Sequence, residues 1–128
     1  MLKQILVTGS SRGIGKAVAL RLAQSGYDIV LHCNKNISKA EAVQNEIISL
    51  GRNARILQFD ISNRQECNEV LSSDIKKNGI YYGIVLNAGI AKDNVFPAME
   101  DEEWDCVLNT NLGGFYNVLK PIIMPLIQ

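Results

Sequence analysis

Four short apolar runs alternate with segments of helical periodicity, and this alternation constrains the fold of the 128-residue chain more than any other feature. The runs are residues 3–7, 29–33, 54–59 and 83–86. Their apolar residues are nearly continuous, which is typical of strands covered on both faces. Strands joined by single helices pair in parallel with right-handed connections. We therefore predict an α/β fold, a doubly wound parallel sheet with strand order 3-2-1-4 and flanking helices.

Three helical segments lie between the runs, and each has a predicted apolar face. The faces are Ile14, Ala17, Val18 and Leu22; Ala40, Val43, Ile47 and Leu50; and Cys67, Val70, Leu71 and Ile75. Each helix is followed by a glycine, the residue that most often ends helices. These glycines are Gly26, Gly51 and Gly79. Ser38 with Glu41, and Asn63 with Glu66, have the spacing of N-terminal capping pairs.

The region after the fourth run is predicted to continue the same pattern. Residues 87–97 are a predicted loop, and the acidic residues 101–103 precede a fourth helix that contains Trp104 and Phe115. In the last helix, Pro121 and Pro125 are expected to disturb the helical structure. A sheet that stopped at four strands would leave its last strand as an unpaired edge. We therefore expect an incomplete fold, half of a larger domain.

Composition excludes several classes of function. The chain is 47% hydrophobic and 20% charged with no net charge, so it lacks the basic excess typical of nucleic-acid or anionic-membrane binding. The N-terminal apolar run is too short for a signal peptide, and no run reaches the length of a membrane span. Cys33, Cys67 and Cys106 have no C-x-x-C spacing. We expect reduced thiols, no metal site and a cytoplasmic location.

The segment VTGSSRGIGKAVA, residues 7–19, places three glycines between the first strand and the first helix. Such a turn presents backbone N–H groups and the positive end of a helix to a phosphate. A mononucleotide P-loop is excluded, because it requires glycine at Ser10 and a hydroxyl residue at Ala17. A dinucleotide site is the favoured interpretation. A purely structural turn and an adenosyl-binding methyltransferase stay open as alternatives.

The end of the second strand indicates which dinucleotide binds. NAD sites carry Asp or Glu there for the ribose 2′-OH, whereas a 2′-phosphate requires cations. Residues 32–36, HCNKN, contain no carboxylate. Lys35 together with Arg12 of the glycine turn would bracket a 2′-phosphate, which favours NADP(H). Lys35 alone is more often a solvated loop lysine, and His32 is given no catalytic role.

Four motifs in order resemble the short-chain dehydrogenase/reductases over the whole chain. They are TGSSRGIG, Asp60 at the end of the third strand, NAG at residues 87–89 and NTNL at residues 109–112. The stretches RGIGKAVALRLA and NAGIAKDNVFPAMEDEEWDCVLNTNL look most like 3-oxoacyl-[acyl-carrier-protein] reductases. The resemblance implies a Rossmann fold and NADPH-dependent reduction of a ketone. It also implies a substrate carried on acyl carrier protein and a homodimer or homotetramer.

The resemblance also implies roles for individual residues. Asp60 and Ile61 would line the adenine pocket, residues 87–89 would lie beside the cofactor ribose, and Ser10 and Ile14 would help to hold the phosphates. Asn111 would belong to an Asn-Ser-Tyr-Lys tetrad, with a structural polar network as the alternative. The predicted cofactor-binding residues are Gly9, Ser10, Ser11, Arg12, Gly13, Ile14, Gly15, Asn34, Lys35, Asp60, Ile61, Asn87, Ala88 and Gly89, and the predicted catalytic residue is Asn111.

The family's serine and its Y-x-x-x-K pair follow a fifth strand that these 128 residues do not include. Tyr116 and Lys120 have the Y-x-x-x-K spacing, but no fifth strand precedes them, so they are predicted to be ordinary helix residues. We therefore expect residues 1–128 to be the N-terminal dinucleotide-binding part of one reductase domain, inactive alone and prone to associate. The alternative function is a non-catalytic dinucleotide-binding module.

Overall fold

The computed structural model describes residues 3–87 and 116–123. Its strands are β1 (Gln4–Val7), β2 (Asp28–Cys33), β3 (Ala54–Gln58) and β4 (Gly83–Val85). Its helices are α1 (Gly13–Gln24), α2 (Ile37–Ser49), α3 (Arg64–Asn78) and α4 (residues 116–123). All strand pairs are parallel and the order is β3-β2-β1-β4, which confirms the predicted sheet. The fourth helix predicted around Trp104 lies outside the described residues.

Helices cover both faces of the sheet, as the continuous apolar strands predicted. Alternate residues of a strand point to opposite faces, and β1 and β2 contribute to two separate cores. One core joins the strands to α1 and α2 and contains Ile5, Val7, Ala19, Ala23, Ile29, Leu31, Val43 and Ile47. The other joins them to α3 and α4 and contains Leu6, Val30, Phe59, Ile61, Cys67, Leu71, Tyr81, Val118 and Ile122.

The buried face of α1 differs in part from the predicted one, since Val18 and Leu22 are half-buried and pack against the core as predicted. The buried residues are Gly15, Ala19 and Ala23, whereas Ile14 is 75% exposed and Ala17 is also exposed. The prediction followed the large apolar side chains, but small residues allow α1 to pack closely against the turn and the sheet. In α2, Leu50 is 47% exposed because the helix ends one residue before it.

The two predicted capping pairs have different outcomes. The Ser38 prediction was wrong, because α2 already begins at Ile37 and Asn36 occupies its N-cap position. The Asn63 prediction is confirmed, since Asn63 Oδ1 accepts a hydrogen bond from the Glu66 N–H at 3.0 Å. The Glu66 carboxylate accepts from the Asp60 N–H at 3.1 Å, so the start of α3 is tied to the segment after β3.

α4 continues through Pro121, which is buried. Contrary to the expectation, Pro121 therefore does not interrupt the helix. Pro125 lies outside the described residues, as does Cys106. Cys33 and Cys67 are free and buried. Within residues 3–87 and 116–123, no helix has the length and apolarity to cross a membrane. The same residues contain no group of His, Cys, Asp and Glu side chains arranged to hold a metal ion.

Candidate cofactor-binding site

A cleft of about 540 Å³ opens at the carboxyl edge of the sheet, between the glycine turn and the end of β2. Open parallel sheets bind ligands at this edge, at the point where the strand order reverses. In this sheet the order reverses between β1 and β4. The predicted cofactor-binding residues that line the cleft are Gly9, Ser11, Arg12, Gly13, Asn34, Lys35 and Asn87. His32, Cys33 and Asn36 complete the lining. The fold therefore gathers residues from the first turn, the end of β2 and the end of β4.

The three glycines of the turn are required for two different reasons. Gly9 and Gly13 have φ values of 64° and 60°, a left-handed conformation that favours glycine. Gly15 is required for space, because a Cβ there would collide with the Gly9 carbonyl and lie 2.6 Å from Asn87 Nδ2. The turn therefore brings the start of α1 directly against the backbone of Gly9.

The N-terminus of α1 has the features of an anion-binding helix end. Arg12 occupies the N-cap position without a side-chain hydrogen bond to the helix, and the first turn contains no acidic residue. Backbone N–H groups at such a terminus attract phosphate, and the helix dipole adds to the attraction. A dinucleotide pyrophosphate therefore fits this end of the cleft.

Ser10 and Ile14, the two residues predicted to help hold the phosphates, lie in different surroundings. Ser10 is fully buried, its Oγ accepts from the His32 N–H at 3.0 Å, and its own N–H donates to the His32 carbonyl at 3.1 Å. Ile14 is exposed in the first turn of α1. Ser10 thus joins the glycine turn to β2, while the Ile14 side chain is open to a ligand.

His32 has a structural role that sequence reasoning missed. It is only 2% exposed, and its Nδ1 accepts a hydrogen bond from the Gly9 N–H at 2.9 Å. Because Nδ1 is the acceptor, the proton is on Nε2, which donates to the Phe59 carbonyl at 2.8 Å. Burial lowers the pKa of His32, and the Phe59 hydrogen bond and the Asp60 charge oppose this only in part. The position of His32 in a buried apolar run was the available signal, since a buried imidazole requires partners.

Asp60 and Ile61 are not among the residues that line the cleft. Asp60 Oδ1 accepts from the Ser62 hydroxyl at 2.7 Å and from the Ser62 N–H at 2.9 Å. These hydrogen bonds, together with the charge of Lys35, lower the pKa of Asp60, which therefore carries a negative charge. Ile61 is 7% exposed and packs in the core below α3 and α4.

Asn87 connects the end of β4 to the glycine turn. Its N–H donates to Thr8 Oγ1 at 2.8 Å, and its Nδ2 donates to the Gly9 carbonyl at 3.3 Å. Gly9 is therefore fixed from two sides, by Asn87 and by His32. Ala88, Gly89 and Asn111 lie outside the described residues.

Tyr116 and Lys120 lie on α4, away from the glycine turn. The Tyr116 ring is exposed, with Arg64 Cζ 5.2 Å and Lys120 Nζ 5.5 Å from its centroid. A hydrogen bond and the charge of Lys120 lower the pKa of Tyr116. These side chains line a different cleft from that of the glycine turn, and the two clefts share no lining residue among the residues described.

Comparison with curated proteins identifies close relatives. The chain is 61% identical over 128 residues to 3-oxoacyl-[acyl-carrier-protein] reductase FabG of Aggregatibacter actinomycetemcomitans, covering all of this chain and 53% of that protein. It is 38% identical over 122 residues to the FabG reductase of Staphylococcus epidermidis, covering 95% of this chain and 50% of that protein. The chain thus spans about half the length of the curated relatives it matches.

A solved structure and a family model agree with these relatives. The fold is similar to an alcohol dehydrogenase from the archaeon Thermococcus sibiricus, complexed with 5-hydroxy-NADP, with a TM-score of 0.86 and 27% identity. The match covers 98% of this chain and 54% of that one. The sequence model for short chain dehydrogenase matches residues 3–128, which excludes the methyltransferase alternative. The chain belongs to the short-chain dehydrogenase family.

Proposed function

We propose that this chain forms the NADP(H)-binding part of a cytoplasmic 3-oxoacyl-[acyl-carrier-protein] reductase. The whole enzyme would reduce a 3-oxoacyl group on acyl carrier protein to the 3-hydroxy form. The observation that carries the proposal is the 61% identity to a FabG reductase along the whole chain. The cleft at the carboxyl edge of the sheet supports the cofactor part of the proposal, because the glycine turn and the cations Arg12 and Lys35 line it.

The residues of the chain have separate tasks in this proposal. The glycine turn and the N-terminus of α1 bind the pyrophosphate, with Ser11 in the lining of the cleft and Ile14 exposed in the first turn of α1. Asn34 and Asn87 line the cleft on either side of the turn, where they orient the two ribose groups. When bound, NADPH supplies the hydride that reduces the ketone carbon.

The remaining predicted residues complete the proposed site. Asp60 and Ile61 border the adenine end, Ala88 and Gly89 extend the ribose surface that begins at Asn87, and Asn111 positions the catalytic groups of the family. We propose that residues 1–128 bind the cofactor without turning over substrate, and that copies associate into a homodimer or homotetramer.

Preference for NADP(H) rests on the charges at the mouth of the cleft. Arg12 and Lys35 are both exposed and both line the cleft, and no carboxylate is present at residues 32–36. The charge of Lys35 helps to lower the pKa of Asp60, after the stronger contribution of the Ser62 hydrogen bonds. A 2′-phosphate carries more negative charge than one carboxylate and accepts several hydrogen bonds. A 2′-phosphate therefore attracts Arg12 and Lys35 more strongly than a carboxylate does.

The test compares NADPH with NADH, which differ only in the 2′-phosphate. We expect wild-type protein to bind NADPH at least tenfold more tightly, because charge-assisted hydrogen bonds contribute about 1.5–3 kcal/mol. In the double variant Arg12→Ala and Lys35→Ala, NADPH affinity falls about tenfold or more while NADH affinity changes less than twofold. Fluorescence titration of the reduced cofactor gives both dissociation constants.

A matched control removes the same charge elsewhere. In the double variant Arg52→Ala and Lys77→Ala, both residues are exposed and neither lines the cleft. We expect this variant to keep the wild-type preference. An unchanged NADPH preference in the Arg12 and Lys35 variant would contradict the cofactor proposal. Absence of NADPH oxidation by the whole enzyme with a 3-oxoacyl thioester would instead contradict the reaction.

A further inference from the structure

We propose that His32 is a positioning residue of the cofactor site, whose neutral imidazole holds Gly9 in the shape that the glycine turn requires for dinucleotide binding. Protonation of this ring removes the acceptor for the Gly9 N–H and weakens binding. The inference rests on the proposed function in one respect, namely that the turn binds a dinucleotide. The state of the ring itself is independent of that proposal.

The contacts between His32 and the turn are short and involve both main chain and side chain. His32 Nδ1 lies 2.9 Å from the Gly9 nitrogen, and Gly9 has a φ of 64°. The next residue, Ser10, makes reciprocal hydrogen bonds with the His32 backbone at 3.0 and 3.1 Å. The turn is therefore attached to β2 through one imidazole and one hydroxyl, and the imidazole is the member that titrates.

The second ring nitrogen fixes the orientation and the tautomer. Nε2 donates to the Phe59 carbonyl at 2.8 Å, and the Phe59 ring packs against the imidazole with a centroid distance of 4.3 Å. In the other neutral tautomer, the Nδ1–H group would face the Gly9 N–H, and the unprotonated Nε2 would face the Phe59 carbonyl oxygen. The cation would keep the Phe59 hydrogen bond but oppose two N–H groups at Gly9. Only the Nε2-protonated neutral ring satisfies both neighbours.

Several charged or titratable groups surround the ring, and their effects differ in sign. Asp60, which follows Phe59, favours the cation. Arg12 and Lys35 line the same cleft, and their positive charges have the sign that opposes protonation of the ring. Cys33 is adjacent on β2, and burial raises the pKa of its thiol, so it is uncharged. Burial of the ring outweighs the Asp60 charge and lowers the pKa of His32, which keeps the acceptor available at neutral pH.

A bound pyrophosphate would also attract an imidazolium, but this attraction does not restore the lost hydrogen bond. At 2.9 Å between Nδ1 and the Gly9 nitrogen there is room for one hydrogen and not for two. Gly9 would have to rotate its N–H away, and the Thr8 carbonyl, which shares a peptide plane with this N–H, would move with it. Protonation therefore breaks the His32 contact, one of the two contacts that fix Gly9.

Two substitutions separate the two ring nitrogens. His32→Asn keeps an acceptor near the position of Nδ1, and His32→Gln keeps a donor near the position of Nε2. We expect the Asn variant to bind NADPH within about threefold of wild type and the Gln variant to bind about fivefold more weakly, the range of one hydrogen bond. Melting temperatures of both variants report the structural cost separately.

The decisive readout is the pH profile of the dissociation constant from pH 5 to 8. The wild-type constant should increase toward the acidic end of this range, relative to that of His32→Asn at the same pH, because the pKa of His32 lies below its usual value of 6.5. Dividing the wild-type dissociation constant by that of His32→Asn at each pH cancels the effect of 2′-phosphate titration, which is the same for both proteins. Identical profiles for wild type and His32→Asn would overturn the proposal, as would equal loss of affinity in the Asn and Gln variants.

A measurement without cofactor distinguishes this proposal from the proposed function. Nitrogen-15 NMR of the imidazole should show the Nε2-protonated tautomer at neutral pH, and the resonance is assigned by its absence in His32→Asn. The Gly9 amide should shift as the ring is protonated. A proton on Nδ1 would overturn the role of His32 even if NADPH binds. Failure of wild-type protein to bind any dinucleotide would defeat the proposed function, and the Gly9 shift would still decide the positioning role.

Discussion

The two edges of the sheet bury polar groups in different ways. At the amino edge, Arg55 Nε and Nη2 donate to the two oxygens of Asp74 at 2.8 and 2.7 Å. Tyr81 Oη donates to Asp74 Oδ2 at 2.7 Å, and Arg55 Nη1 donates to Gln4 Oε1 at 2.8 Å. Gln4 Nε2 in turn donates to main-chain carbonyls before β4. The hydrogen bonds of this network are made within the protein.

At the carboxyl edge, the side chains that hold Gly9 are neutral, and charged side chains face the cleft. His32 and Asn87 bind the backbone of Gly9, and the exposed cations Arg12 and Lys35 line the opening. The amino edge therefore pairs its charges within the protein, whereas the carboxyl edge leaves Arg12 and Lys35 exposed at the cleft, where we propose that they bind the cofactor. Substitutions at the two edges should separate stability from cofactor binding.

The largest expected effect on stability is that of Asp74→Ala at the amino edge. Removing this carboxylate leaves Arg55 without its charged partner, although the Gln4 hydrogen bond remains, and breaking a buried pair costs about 3 kcal/mol or more. The Arg55 side chain is 31% exposed, which places the cost near the lower end. Urea denaturation measures the loss, with Glu69→Ala on the exposed part of α3 as control. A change of NADPH affinity at a temperature where the variant is folded would contradict the separation of the two edges.

The next effect is that of Gly15→Ala at the carboxyl edge. The new Cβ would collide with the Gly9 carbonyl and approach Asn87 Nδ2, so the turn must open. We expect about 1–3 kcal/mol of destabilisation and at least a tenfold loss of NADPH affinity. Gly26→Ala is the control, because Gly26 has a φ of 100° with open space around it at the amino edge. It should cost about 1 kcal/mol from backbone strain without affecting affinity.

The smallest effect is that of Tyr81→Phe, which removes one donor to Asp74 while Arg55 and Asn78 remain. We expect a loss of about 1 kcal/mol with unchanged cofactor affinity. Burial and the Asp74 carboxylate raise the pKa of Tyr81 above its usual value of 10.0. As the pH rises, the Tyr81 hydroxyl therefore loses its proton at a lower pH in the unfolded chain than in the folded protein. Wild-type stability should consequently fall above about pH 10. This part of the fall should be absent in Tyr81→Phe and present in Tyr82→Phe, where the ring is exposed.

The sequence predicted the elements and their order because these depend on local patterns. Continuous apolar runs, helical spacing and terminal glycines are properties of short segments, and parallel pairing then follows from the connections. The errors arose where packing overrides local preference. Ile14 was assigned to a buried face, but the close contact of Gly15 with Gly9 turns that face away from Ile14. Ser38 has the composition of a cap, yet α2 begins one residue earlier.

By itself, the sequence determined the strand order, the position of the glycine turn and the absence of a carboxylate at the end of β2. The turn and the missing carboxylate depend on residues that are neighbours in the chain, and the strand order follows from the single-helix connections of a doubly wound sheet. Only the tertiary structure decided the role of His32, whose partners Gly9 and Phe59 are 23 and 27 residues away in opposite directions. The Arg55 and Asp74 network likewise joins β3 to α3. Such contacts require the sheet to form first, since no local pattern specifies which distant donor meets which acceptor.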